Sequence, residues 1–83
     1  MKKIIAVTEY PVVDLDSVRF LREVIHVNGS YKLHLTRDPQ RAQKFGAEIH
    51  AVAQWLTNRQ DAGAIVRARD FSSIYSFNVV DSK

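Results

Sequence analysis

The sequence predicts an α+β domain in which an antiparallel sheet of about four to five strands packs one face against a single main helix, in the order β-β-β-α-β-β. Three observations support this fold class. Several short segments alternate apolar and polar residues as strands do, and Asn28-Gly29 marks a tight hairpin. Downstream of Asp38-Pro39, one apolar stripe repeats at three- and four-residue steps. Residues 1–83 are therefore expected to form one domain.

The first three strands follow from β-branched runs and from the turn between them. Residues 3–8 include the run Ile-Ile-Ala-Val-Thr and predict a strand. Residues 17–27 fit both helical and strand spacing, but Asn28-Gly29 needs a strand on each side. Residues 31–36 alternate cleanly and supply the second side, so residues 17–27 are predicted to be a strand.

Two registers of this hairpin remain open. A two-residue turn pairs His26 with Tyr31 and Glu23 with His34. In this register, one face of the hairpin is expected to point to the core and to include the charged Arg22. Its apolar residues are Phe20, Val24, Tyr31, Leu33 and Leu35. A bulged three-residue turn would shift the register and bring Glu23 inward instead.

The helix prediction rests on a start signal and a stripe. Asp38 is expected to cap, and Pro39 suits the first helical position. The stripe consists of Ala42, Phe45, Ile49, Val52, Ala53 and Leu56. Gly46 lies either inside one long helix or at a break before a main helix over residues 47–58. Residues 64–69 and 74–80 are then predicted as strands, with Tyr75, Phe77 and Val79 on one side of the last.

Composition excludes several classes of site. The chain has no cysteine, which rules out disulfides, thiolate zinc ligands and a cysteine nucleophile. This absence favours a reducing compartment, and a cytoplasmic location is expected. The apolar run after Lys3 is too short for a secretion signal, and no stretch is long enough for a membrane helix, so no membrane association is predicted.

No catalytic, metal or cofactor site is predicted. The histidines, His26, His34 and His50, lack a common ligand spacing, and Asp14 with Asp16 fits a turn better than a cation site. The glycines are isolated, so no phosphate-cradling loop is present, and no nucleophile, base and orienting group assemble. We therefore expect a protein that is not an enzyme.

The charge pattern permits nucleic-acid binding without requiring it. The net charge is +3, with basic and acidic residues interspersed. If they meet on one surface, six basic residues are candidate nucleic-acid contacts: Lys32, Arg37, Arg41, Lys44, Arg67 and Arg69. The simpler interpretation is solvated charge that keeps a small domain soluble.

Trp55 is the candidate interface residue. It flanks the apolar stripe of the helix, so it either extends the core beneath a sheet edge or anchors a partner. Edge strands in a small sheet also make homodimerisation an expectation.

One stretch resembles a known group of proteins. Tyr31-Lys32-Leu33-His34-Leu35-Thr36-Arg37-Asp38, followed by Ala42 and Phe45, is similar to a pattern in small uncharacterised proteins of phages and prophages of low-GC Gram-positive bacteria. The resemblance spans residues 31–58 and implies a β-rich sheet with a helix and a phage or prophage origin. It implies no catalytic or binding residue. We expect an accessory interaction protein with a protein partner; a weak nucleic-acid binder is the second hypothesis and a small enzyme the third.

Overall fold

The structure, a computed structural model, describes residues 2–10, 18–66 and 74–82. It contains the strands β1 (Lys3–Tyr10), β2 (Arg19–Val27), β3 (Ser30–Thr36) and β4 (Ile74–Asp81). A 3₁₀ turn (Pro39–Arg41) and one helix, α1 (Ile49–Asp61), lie between β3 and β4. The strands form one antiparallel sheet in the order β3-β2-β1-β4. The predicted α+β fold is confirmed.

The core lies between the helix and one face of the sheet. Ile5 and Val7 of β1 project toward α1, where Ile49 and Leu56 meet them, and all four side chains are at most 1 % exposed. Leu21, Phe45, Ile65 and Tyr75 complete the buried cluster. The helix stripe and the alternating strands each present one apolar face, so packing them together buries both.

The β2–β3 hairpin has the register of the two-residue turn. Asn28 and Gly29 adopt φ of 50° and 80°, and His26 lies opposite Tyr31. The register shifts between Leu21 and Glu23, so Arg22 is the extra residue of a β-bulge. The bulge keeps Arg22 exposed and turns Leu21 toward the core.

The expectation that Phe20 lies on the core face is wrong. Phe20 pairs with Ala6 and Thr36, whereas Leu21 pairs with Leu35 and belongs to the buried cluster. Because successive side chains alternate, Phe20 projects from the face opposite the helix. The alternation of apolar and polar residues does not reveal the bulge. Because the bulge adds one residue at Arg22, the side chains before it project from the face opposite to the one that simple alternation predicts.

The helical region is broken at Gly46. Asp38 caps as expected, since its Oδ1 accepts from the Gln40 N–H at 2.9 Å, but it caps only the short 3₁₀ turn. Phe45 then forms an isolated bridge with Lys3, and α1 begins at Ile49. The main helix is therefore shifted by two to three residues from the predicted 47–58.

The chain after the helix departs partly from prediction. Within residues 64–66, the described part of the predicted strand 64–69, Ile65 forms an isolated bridge parallel to Tyr31; residues 67–69 lie outside the described residues. The predicted turn at Asp14 and Asp16 also lies outside them. β4 is confirmed as a strand. In the described part of the chain, no helix is long and apolar enough to cross a bilayer.

Candidate functional site

The sheet opens between β1 and β2. β1 pairs with β4 along its whole length, but with β2 only at Ala6–Phe20 and Val7–Arg19. Beyond this point the loop before the helix fills part of the gap. The Gln43 N–H donates to the Leu21 carbonyl at 2.9 Å, and Phe45 exchanges backbone hydrogen bonds with Lys3 at 2.8 and 3.0 Å. The diverging strands leave a depression on the helix side of β2.

This depression is a groove of about 530 Å³ between the β2–β3 hairpin and α1. Its size is typical of ligand-binding pockets. Leu21 and Phe45 are buried at its floor, and Val52 lies on the helix side. The complete lining is Leu21, Glu23, Val24, His26, Tyr31, Gln43, Phe45, Val52 and Trp55. We call this feature the hairpin–helix groove.

Four side chains form a continuous ladder, and three of them line the hairpin–helix groove. The ring of His26 stacks on Tyr31 with centroids 4.7 Å apart and an interplanar angle of 19°. Tyr31 meets Trp55 edge-to-face at 4.9 Å and 81°. The guanidinium carbon of Arg59 lies 5.2 Å from the Trp55 ring centroid. Two aromatic residues are thus held between two residues with basic side chains.

Backbone hydrogen bonds fix the hairpin side of the ladder, and helical spacing aligns the other side. The Tyr31 N–H donates to the Ala64 carbonyl at 2.7 Å, and the Val66 N–H donates to the Tyr31 carbonyl at 2.9 Å. These bonds join the segment after the helix to β3. Trp55 and Arg59 are four residues apart on α1, a spacing that places two side chains on the same helix face. The aromatic contacts therefore depend on how helix and hairpin dock.

Glu23 and Arg59 flank the hairpin–helix groove and differ in their partners. The Glu23 carboxylate projects from the sheet face opposite Val24 and lies 3.8 Å from His34 through their Oε2 and Nδ1 atoms. Arg59, by contrast, takes no part in the ion pairs formed among the described residues. Its position in the last turn of α1 is favourable for a cation, because the helix dipole places partial negative charge there.

The structure separates the described basic candidates from the aromatic ladder. Lys32 follows Tyr31 on β3, so its side chain projects from the opposite face. Arg41 pairs with Asp38 at 3.7 Å, and the Lys44 ammonium donates to the Gln40 carbonyl at 3.2 Å. Arg37 is exposed just after β3. Arg67 and Arg69 lie outside the described residues.

Trp55 contacts the core, as one of the two interpretations expects, and its role as a partner anchor stays a prediction. It is half-buried, packs against the core cluster and also lines the hairpin–helix groove. His26, Tyr31 and Arg59 were not predicted as site residues. The hairpin register places His26 opposite Tyr31, and helical spacing relates Trp55 to Arg59. No sequence signal joins these two pairs, because their contact is between elements.

No metal centre is evident in the described part of the chain. No group of three or more His, Cys, Asp or Glu residues within it could hold a metal ion. Two further depressions, of about 440 and 480 Å³, flank the start of α1 near Lys2 and the β4 side of the helix near Phe77. Neither has an aromatic ladder like that of the hairpin–helix groove.

Comparison of the chain with known protein families, with curated proteins and with solved structures found no match.

Proposed function

We propose that this protein is a small non-enzymatic binding module that docks a segment of a partner protein in the hairpin–helix groove. The observation that carries the proposal is the edge-to-face pair of Tyr31 and Trp55, half-buried beside an apolar floor and open to solvent. Tryptophan and tyrosine are enriched among residues that dominate binding energy, because they bury a large apolar area with few rotatable bonds.

The shape of the groove supports an inserted apolar side chain. Leu21 and Phe45 form a rigid floor, since both are packed into the core. Tyr31 and Trp55 are held by neighbours on both sides, so little side-chain freedom remains to be lost on binding. A preformed groove of this kind suits an aliphatic or aromatic residue of a partner.

Nucleic acid is less well supported than a protein partner. A base would need an open aromatic face for stacking. One face of Tyr31 is already covered by His26, and Arg59 lies over Trp55. Lys32, Arg41 and Lys44 do not extend the ladder into a basic stripe. Nucleic-acid binding stays the second hypothesis.

A display experiment tests the proposal. Short random-sequence peptides are selected against the purified protein, and binding is followed by tryptophan fluorescence, since Trp55 is the single tryptophan of the chain. Selected peptides should share an apolar anchor and should lose at least about tenfold in affinity for Trp55→Leu. That variant is followed by isothermal calorimetry, because it has no tryptophan.

Phe20→Leu is the matched control, because it removes an aromatic ring from the opposite face of the sheet. It should bind like the wild type, and circular dichroism should show both variants folded. Failure to select any peptide, or equal losses in the two variants, would refute docking in this groove.

Three further expectations stay predictions. A phage or prophage origin would be supported by phage genes next to the coding sequence, and a metabolic operon would argue against it. A cytoplasmic location is tested by cell fractionation. Homodimerisation through an edge strand is tested by size-exclusion chromatography with light scattering.

A further inference from the structure

β2 has one edge toward β3 and one edge toward β1, and we call the edge toward β1 its inner edge. This inner edge carries backbone groups that face the hairpin–helix groove. The N–H and C=O of Tyr31 bond to Ala64 and Val66, on the side of β3 away from β2. In an antiparallel ladder, residues directly opposite each other point their backbone groups both inward or both outward. His26 lies opposite Tyr31, so its N–H and C=O point away from β3.

Val24 has the same orientation as His26. It lies two residues away on β2 and opposite Leu33, which is two residues from Tyr31. The Leu21 carbonyl also points this way, because it accepts from the Gln43 N–H. Three positions of β2 thus direct backbone groups toward the gap.

This stretch of strand edge is open among the described residues. β1 reaches only Arg19 and Phe20, and Gln43 engages Leu21. In the part of the chain that the structure describes, no residue pairs with Val24 or His26 on this side. Both residues line the hairpin–helix groove. The groove therefore combines an apolar floor with a row of backbone donors and acceptors.

We infer that a partner segment binds in the hairpin–helix groove as an added β-strand along the inner edge of β2. Its backbone pairs with Val24 and His26, and an alternate side chain inserts against Val52 and Trp55. This inference rests on the proposed function and specifies how the groove recognises its partner. Strand addition supplies affinity through main-chain hydrogen bonds and selectivity through pockets for every second side chain.

The charge of Arg59 indicates that the partner segment carries an acidic residue. Arg59 lies over Trp55 at the helix end of the ladder, outside the ion pairs of the described residues, and the chain carries a net charge of +3. A guanidinium beside an aromatic ring can still donate its N–H groups to a carboxylate. The expected ligand is an extended peptide with an apolar anchor and a nearby Asp or Glu.

Hydrogen exchange measured by NMR tests strand addition directly. The probe is the tightest peptide obtained from random-sequence display, added at saturation to the full chain. Exchange of the Val24 and His26 amides should slow at least about tenfold, because each gains a hydrogen bond. The Ile25 amide is an internal control, since its backbone groups face β3 and should change little.

Chemical variants of the same peptide provide the second measurement. Backbone nitrogens of the peptide are methylated one position at a time. Methylation at every second position should weaken binding by about five- to tenfold, and methylation at the positions between them should have little effect. Replacing the acidic residue by its amide, or Arg59→Gln, should each weaken binding to a similar extent. Lys44→Gln is the matched control and should bind like the wild type.

The outcomes separate this inference from the proposed function. If a peptide binds and depends on Trp55 but shows neither amide protection nor alternating sensitivity, strand addition is wrong and the docking proposal stands. If no peptide binds, the docking proposal itself is overturned. Tight, salt-sensitive binding of a single-stranded oligonucleotide in place of a peptide, or protection of Val24 and His26 by self-association alone, would also overturn the inference.

Discussion

The side chain of Gln60 makes both backbone hydrogen bonds that a neighbouring strand would make to Tyr75. Its Nε2 donates to the Tyr75 carbonyl at 2.7 Å, and its Oε1 accepts from the Tyr75 N–H at 2.6 Å. Tyr75 is on β4, an edge strand, and Gln60 is in the last turn of α1. The helix therefore closes the strand edge at this point, which protects it from pairing with another chain.

Removing the side-chain amide of Gln60 should destabilise the fold more than removing an exposed amide of the same size. Gln60→Ala leaves a partly buried N–H and C=O of Tyr75 without these partners, so we expect a loss of about 1–3 kcal/mol in the free energy of unfolding. Urea unfolding followed by circular dichroism measures it. Gln54→Ala is the matched control: its amide donates to the Asn58 Oδ1 on the exposed face of α1, and its loss should cost about 0.5 kcal/mol or less. Similar losses in both variants would contradict this role for Gln60.

Leu56 is a fully buried residue of the helix stripe, so its truncation should destabilise the fold. It is fully buried between α1 and the sheet, so Leu56→Ala should lower the free energy of unfolding by about 2–5 kcal/mol through lost burial and a residual cavity. Val27→Ala is the control, since Val27 is 48 % exposed at the end of β2, and it should cost less than about 1 kcal/mol. A loss below about 0.5 kcal/mol for Leu56→Ala would refute the packing described for α1.

The hairpin turn depends on a glycine with positive φ. Gly29 adopts φ of 80°, where a Cβ meets no other atom but the backbone conformation is unfavourable for L-residues. Gly29→Ala should therefore cost about 1–2 kcal/mol, measured by urea unfolding. Asn28→Gly should change stability much less, because glycine adopts the φ of 50° at this position readily. Equal effects of the two changes would argue against the observed turn.

The carboxyl group of Glu48 should make the stability of the fold depend on pH in the acid range. Hydrogen bonds from its own backbone N–H and from that of Gly46, the latter at 3.1 Å, lower the pKa of its carboxyl below the ordinary 4.5. A lowered pKa in the folded state stabilises the fold above the unfolded-state pKa, and this contribution disappears as pH falls through the folded-state value. Wild-type protein should therefore lose its stability advantage over Glu48→Gln below pH 4.5. Urea unfolding across pH measures the difference; a constant difference would contradict the link.

The order of elements and the hairpin register follow from local signals. Asn28 and Gly29 both tolerate positive φ, which selects a two-residue turn and fixes the pairing of the residues beside it. The bulge at Arg22 could not be foreseen in this way, because its cause is the accommodation of Leu21 in the core. One extra residue reverses the faces of the strand, so the alternating pattern by itself predicts the wrong face for Phe20.

The candidate site was only partly predictable. Trp55 was identified because a tryptophan beside an apolar stripe is either core or interface, and it proves to contact both core and groove. Tyr31 and Arg59 became site residues only through docking, since the contact between Tyr31 and Trp55 joins two elements far apart in sequence. The gap along β2 likewise arises from the loop at Gln43 and Phe45, whose bridge to Lys3 no local pattern encodes.

By itself, the sequence determined the α+β class, the position of the hairpin, the cap at Asp38 and the apolar stripe of the helix. These features depend on backbone preferences and hydrophobic periodicity, which act over a few residues. Tertiary structure alone decided where β1 and β2 diverge, which aromatic residues meet and which backbone groups are left facing the groove. Those outcomes depend on how whole elements pack to fill a common core, so no single segment contains them.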